Sequence, residues 1–189
     1  MARKKLKTSH KATITIAVVA AVLGIAYGVN HYTNSQVSQL HKLVGSSFHI
    51  DARTKTAGCK VANAMPDHAC TPGAIFPTAT KDQVCTSGYS STERNVPTSE
   101  KDQVYAEYGI ITHTAGQYEV DHDISLELGG SNDIANLWPE AANPTPGFHQ
   151  KDEVENYLHQ EVCNGQISLM EAEELISAHW LDVYKLLHP

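Results

Sequence analysis

The chain has 189 residues with 14 basic and 21 acidic side chains, a formal net charge of −7. Five of the basic residues (Arg3, Lys4, Lys5, Lys7 and Lys11) stand at the N-terminus and every acidic residue lies beyond position 50, so the part after Asn30 sets nine basic against 21 acidic groups, a net −12. That balance argues against a broad basic groove of the kind that grips nucleic acid through many phosphates, while the length allows one compact domain of about 150 residues.

Residues 1–11 form a basic tail, and Ala12 to Val29 follow as an 18-residue run without a charge. Such a run is about the shortest that spans a bilayer and also suits a signal sequence. The positive-inside rule keeps the basic tail cytoplasmic and sends the rest of the chain out. Residues 12–29 are therefore expected to contact the membrane as a transmembrane or signal-anchor helix. Gly24-Ile25-Ala26 offers a small-x-small cleavage site, which would release a secreted form lacking residues 1–26. We read the run as an anchor, with the following domain periplasmic or extracellular. Residues 30–57 read as a polar stalk, with a short helix through Val37, Leu40 and Val44 ended by Gly45-Ser46-Ser47. Its histidines, His31, His41 and His49, are too widely spaced to form a metal site.

The folded domain is expected over residues 58–189. It contains all four cysteines, Cys59, Cys70, Cys85 and Cys163. An even count in an exported chain points to disulfides rather than zinc, and there is no Cys-x-x-Cys pair. Of three possible pairings we take Cys59–Cys70, closing a short loop around Pro66, which leaves Cys85 for Cys163.

Within the domain, turns at Thr71-Pro72-Gly73 and Pro77 bracket the apolar piece Ala74-Ile75-Phe76, and Val84 to Tyr89 reads as a short strand. Ser99-Glu100-Lys101-Asp102 resembles a capping box opening a helix through Val104 and Tyr108 that Gly109 stops. Gln117 to Val120 reads as a strand, Gly129-Gly130 as a loop, and Asn136-Leu137-Trp138-Pro139 as a return to apolar chain. After the breaker-rich Asn143 to Gly147, a helix from about Gln150 to Cys163 buries Val154, Tyr157-Leu158 and Val162. Ser168-Leu169-Met170-Glu171 caps a last helix with apolar residues at 3-to-4 spacing, among which Trp180 reads as core.

The stretch that organises these elements is Tyr118 to Gly130. It ends a strand in Asp121-His122, whose side chains must point to opposite faces of an extended chain. Asp-His, then Leu126-Glu127-Leu128-Gly129-Gly130, then Asn136-Leu137-Trp138-Pro139-Glu140, Lys151-Asp152 and Val162-Cys163-Asn164-Gly165, is an ordered set that resembles the HNH endonuclease family. The resemblance is strongest to secreted or membrane-anchored members and covers roughly Cys70 to Tyr184. It implies an α+β fold with a small ββα-metal core, further helices and short strands. The implied activity is metal-dependent hydrolysis of phosphodiester bonds, with nucleic acid as substrate and DNA favoured over RNA; no protein partner can be inferred.

Residue by residue, the resemblance implies that Asp121 binds the metal, His122 is the general base, and Asn136 braces the loop and orients that base. A second metal ligand is expected from His149, with Asn143 and Asp152 as alternatives. The ion is expected to be Mg²⁺, with Mn²⁺ or Zn²⁺ as other candidates for a mixed oxygen and imidazole site. Arg94, Lys101 and Lys151 are the expected substrate contacts. Two residues depart from the family's pattern: Ser125 stands where proline is usual and Asp123 where an apolar residue is usual. Glu119, Asp121, Asp123 and Glu127 together form an acidic patch suited to a cation. A non-catalytic, disulfide-pinned envelope binding module that keeps the fold is the competing expectation, favoured by the acidic body.

Overall fold

The computed structural model describes residues 34–45 and 47–189. The expected membrane or signal segment at 12–29 lies outside them, and among the described residues no helix is long and apolar enough to cross a membrane. The chain divides into two units, residues 1–39 and Leu40–Pro189. Residues 34–43 are helical (α1), as expected of the stalk. The rest of the fold belongs to the second unit. Residues 40–57, read from sequence as stalk, fall inside it. One reason is Arg53, whose guanidinium pairs with buried Glu107 and donates to Cys70 O at 2.7 Å.

The second unit is α+β. Its helices are α2 (Lys81–Val84), α3 (Tyr89–Glu93), α4 (Thr98–Glu107), α5 (Phe148–Cys163) and α6 (Leu169–Leu187), and its strands are β1 (Tyr118–His122) and β2 (Leu137–Ala141). The strands pair antiparallel, with Val120 opposite Pro139 and His122 opposite Leu137. The loop that joins them carries two single-turn 3-10 helices, at Leu126–Leu128 and Ile134–Asn136, and α5 follows β2. The chain order of this centre is therefore strand, loop, strand, helix.

One face of the hairpin packs on α4, where Val104, Val120 and Leu137 form a buried cluster under Tyr105 and Tyr108. A second core lies between α5 and α6, with Val154, Leu158 and Val162 of one helix and Leu175, Ile176, Trp180 and Val183 of the other all buried. Trp180 is thus core, its indole N–H donating to Ala64 O. Ser168 caps α6 reciprocally with Glu171, as its sequence predicts. The Ser99 box does not form: α4 starts at Thr98 after Pro97, which supplies no side-chain cap.

The segment read as a strand, Val84 to Tyr89, is instead the end of α2 and the turn into α3. Thr80 caps α2 in a reciprocal box with Gln83, and Gly88 adopts φ 84°, a left-handed conformation that breaks any strand. The disulfides are Cys59–Cys70 and Cys85–Cys163. They close loops separated by 11 and 78 residues, worth on the order of 3 and 4.5 kcal/mol by chain entropy. The longer bridge clamps the end of α2 to the end of α5.

Candidate functional site

The site begins with the loop between the strands, and Asn136 holds that loop. Its side chain is fully buried and uses both ends: Nδ2 donates to Ile124 O and Ser131 O at 2.9 and 2.8 Å, while Oδ1 accepts from Ile124 N and Ala74 N at 2.9 and 3.2 Å. Gly130 is required by close approach, since a Cβ there would lie 1.7 Å from Ile124 O. Segment 74–76 pairs with the same loop through Phe76 N to Gly129 O and Ser131 N to Ala74 O. The end of β1 is thereby fixed.

At that end, strand alternation separates Asp121 from His122. Asp121 points to α5, where Lys151 Nζ donates to its Oδ2 at 2.7 Å. The same ammonium donates to His122 O at 2.7 Å and to Glu155 Oε1 at 2.5 Å, and Glu155 in turn accepts from Ser125 Oγ at 3.0 Å. Lys151 is 1% exposed. Burial raises the Asp121 carboxyl, but the Lys151 charge and hydrogen bond overcome it and hold the group below its ordinary range. Burial would lower the Lys151 ammonium, and Asp121 and Glu155 hold it well above its usual value instead. Glu140, also enclosed, is pushed up to about 10, by burial first and also by the neighbouring Asp121 charge. At neutral pH it is therefore a neutral acid beside a charged one.

His122 points the other way, towards the α4 side with Val120. Asn132 settles its tautomer. The Asn132 amide donates through Nδ2 to Glu93 O at 2.7 Å, which turns Oδ1 to accept from Asn95 N and from His122 Nε2 at 3.3 Å. The ring proton therefore sits on Nε2, and Nδ1 carries a bare lone pair with no partner. Burial is the main cause of a His122 pKa lowered to about 4, with the Asp121 charge and the Asn132 bond opposing it. The ring is therefore neutral throughout the neutral range, with its lone pair on Nδ1.

The remaining expected residues fall in different places. Arg94 and Lys101 line one pocket of about 280 Å³ with Asn95, Val96, Glu119 and Val120, beside the His122 strand end. Lys151, expected to touch substrate, is enclosed in the network just described. His149, the expected second ligand, is exposed with its ring 4.2 Å from that of Phe148. Asn143 and Asp152 are exposed as well. Asp123 is buried rather than part of a surface patch; it accepts from Ser177 Oγ at 2.7 Å, and burial pushes its carboxyl up to about 7. A larger pocket of about 470 Å³ on Tyr105, Ile111 and His113 contains none of these residues.

Sequence reasoning missed Asn132, Glu140 and Glu155. Glu155 had a signal, since Lys151 and Glu155 stand at i and i+4 on a helix and meet on one face. Asn132 had none, because its role depends on the distant Glu93–Asn95 backbone.

The residues at Asp121 do not fit a divalent ion. One oxygen of Asp121 already holds Lys151, whose ammonium fills the point between Asp121, Glu155 and the His122 carbonyl oxygen. Elsewhere, Cys85, His159 and Cys163 bring three potential ligand atoms within 4.8 Å of one another. That group could hold a metal ion, but its two sulfurs are bonded to each other, so only the reduced form has thiolates to offer. No family model, curated protein or solved structure matches this chain.

Proposed function

We propose that this protein is a nuclease of the HNH kind that hydrolyses phosphodiester bonds outside the cytoplasm, with His122 as general base. The observation that carries the reading is the His122 ring: its Nε2–H is held by Asn132 while Nδ1 keeps an unshared lone pair. A neutral imidazole in that state can take a proton from an attacking water. The order strand, loop, strand, helix around it, braced by Asn136, agrees with the arrangement the sequence resemblance implies. Arg94 and Lys101 line one pocket, which suits an anion, and Arg94's charge is felt at the ring. The two disulfides agree with an oxidising compartment. The ring is only 2% exposed, so Nδ1 is screened from bulk solvent in this structure.

Digestion of plasmid and single-stranded DNA, and of RNA, by the purified full chain tests this. His122→Ala should lower the rate by about 10²–10⁴-fold, and Arg94→Ala should weaken substrate binding. Equal cleavage by His122→Ala and the unaltered protein would overturn the assignment of the base. Tight binding of nucleic acid without any cleavage would replace the enzyme with the binding module.

A further inference from the structure

We infer that Lys151 is the cation of this site: its ammonium group supplies the positive charge that a divalent ion would bring to Asp121, so the His122 centre works without one. This rests on the nuclease reading for its consequence but not for its geometry. Asp121 Oδ2, Glu155 Oε1 and the His122 carbonyl oxygen surround one point, and an all-oxygen set with two carboxylates is what a hard divalent cation is bound by. The point is filled by Lys151 Nζ at 2.7, 2.5 and 2.7 Å from those three oxygens. An ammonium group has three N–H donors, and each has one of these acceptors. Nothing is left over for solvent, in keeping with a side chain 1% exposed.

The cage is built to keep its occupant. Lys151 and Glu155 are one turn apart on α5, Ser125 Oγ holds the far oxygen of Glu155 at 3.0 Å, and the Cys85–Cys163 bridge clamps the far end of the helix. An incoming ion would have to expel a buried charge from the three acceptors that hold it, at the cost of breaking a buried ion pair. His149, which the resemblance would make the other ligand, is exposed with its ring against Phe148. Among the described residues the only three-ligand group is the cysteine-histidine one at the other end of α5.

Two measurements on the full chain decide it. Mn²⁺ titration followed by electron paramagnetic resonance should give the same curve for the unaltered protein and Asp121→Asn, since no ion is bound at Asp121. Lys151→Ala should gain one Mn²⁺ site, and adding Glu155→Gln should remove it. Nucleic-acid cleavage should run at the same rate in EDTA as in Mg²⁺. A Mn²⁺ site in the unaltered protein that Asp121→Asn abolishes would overturn the proposal, as would cleavage lost in EDTA and restored by Mg²⁺. If nothing is cleaved under any condition, the nuclease reading falls, while the Mn²⁺ titration of the unaltered protein and Asp121→Asn still decides whether Lys151 holds the cation position even if Lys151→Ala fails to fold.

Discussion

One residue separates the two faces of β1, and the two faces have been put to opposite uses. On the α5 side, Asp121, Lys151, Glu155 and Ser125 spend their hydrogen-bonding capacity on one another. On the α4 side, His122 has one nitrogen pinned and the other bare. The difference teaches that adjacency in sequence is a poor guide to a shared site in a strand, because a period of two sends neighbours apart. It also teaches which face should answer to stability measurements and which to activity.

The largest expected effect is on the α5 side. Lys151→Met removes the cation bonded to two buried carboxylates, and breaking a buried pair in this way typically destabilises by about 3–5 kcal/mol. Urea unfolding of the variant measures it. His122→Asn, by contrast, gives up a single 3.3 Å hydrogen bond and part of a buried ring, and should cost about 1–2 kcal/mol. If the two substitutions destabilise equally, the division between the faces is wrong.

Asn136→Ala comes next and should affect both faces. It leaves the buried Ile124 N–H and the Ile124 and Ser131 carbonyls without a partner, a loss of about 2–3 kcal/mol. Asn132→Ala is smaller and specific to the histidine face. Its effect on stability should be about 1 kcal/mol, but the His122 ring, freed from Oδ1, should populate both neutral tautomers. Ring nitrogen chemical shifts read this directly. A ring that keeps its proton on Nε2 without Asn132 would show that something other than Asn132 bares Nδ1.

Much of this centre could be read from the sequence because it is local. The Asp121-His122 alternation, the Gly129-Gly130 turn and the capped α6 follow from spacing or residue type, while the brace at Asn136 is what the family resemblance implies and the disulfide pairs are one choice of three. The parts that could not be read depend on distance in sequence. Asn132 works only because Glu93 and Asn95 lie across from it, and Ser125, a puzzling substitution in the motif, makes sense only beside Glu155. Lys151 departs from its expected place at the substrate for a related reason. A lysine in a motif reads as a surface cation, and nothing short of the fold shows a carboxylate on β1 and another on α5 closing over it. The strand expected at Val84 to Tyr89 does not form because a Thr80–Gln83 cap outweighs β propensity in so short a piece.

The last effect is read in pH, where the neighbours His122 and Asp123 should oppose each other. Stability rises with pH wherever the unfolded chain binds more protons than the folded one. His122, lowered from 6.5 to about 4, is such a group between those values, so its contribution falls as the solution is acidified. Asp123, raised from 3.8 to about 7 by burial, is the reverse: the folded chain holds its proton between those values, and stability is lost as pH rises through them. Between about pH 4 and 6.5 the two slopes have opposite sign and nearly cancel. Relative to the unaltered protein, His122→Asn should therefore tilt the stability curve towards decline with rising pH across that window, and Asp123→Asn should tilt it towards a climb. Each should change the slope by up to about 1.4 kcal/mol per pH unit. Chemical denaturation at several pH values suffices to measure both, and slopes that move in the same direction would show that one of the two groups is not held in the protonation state described.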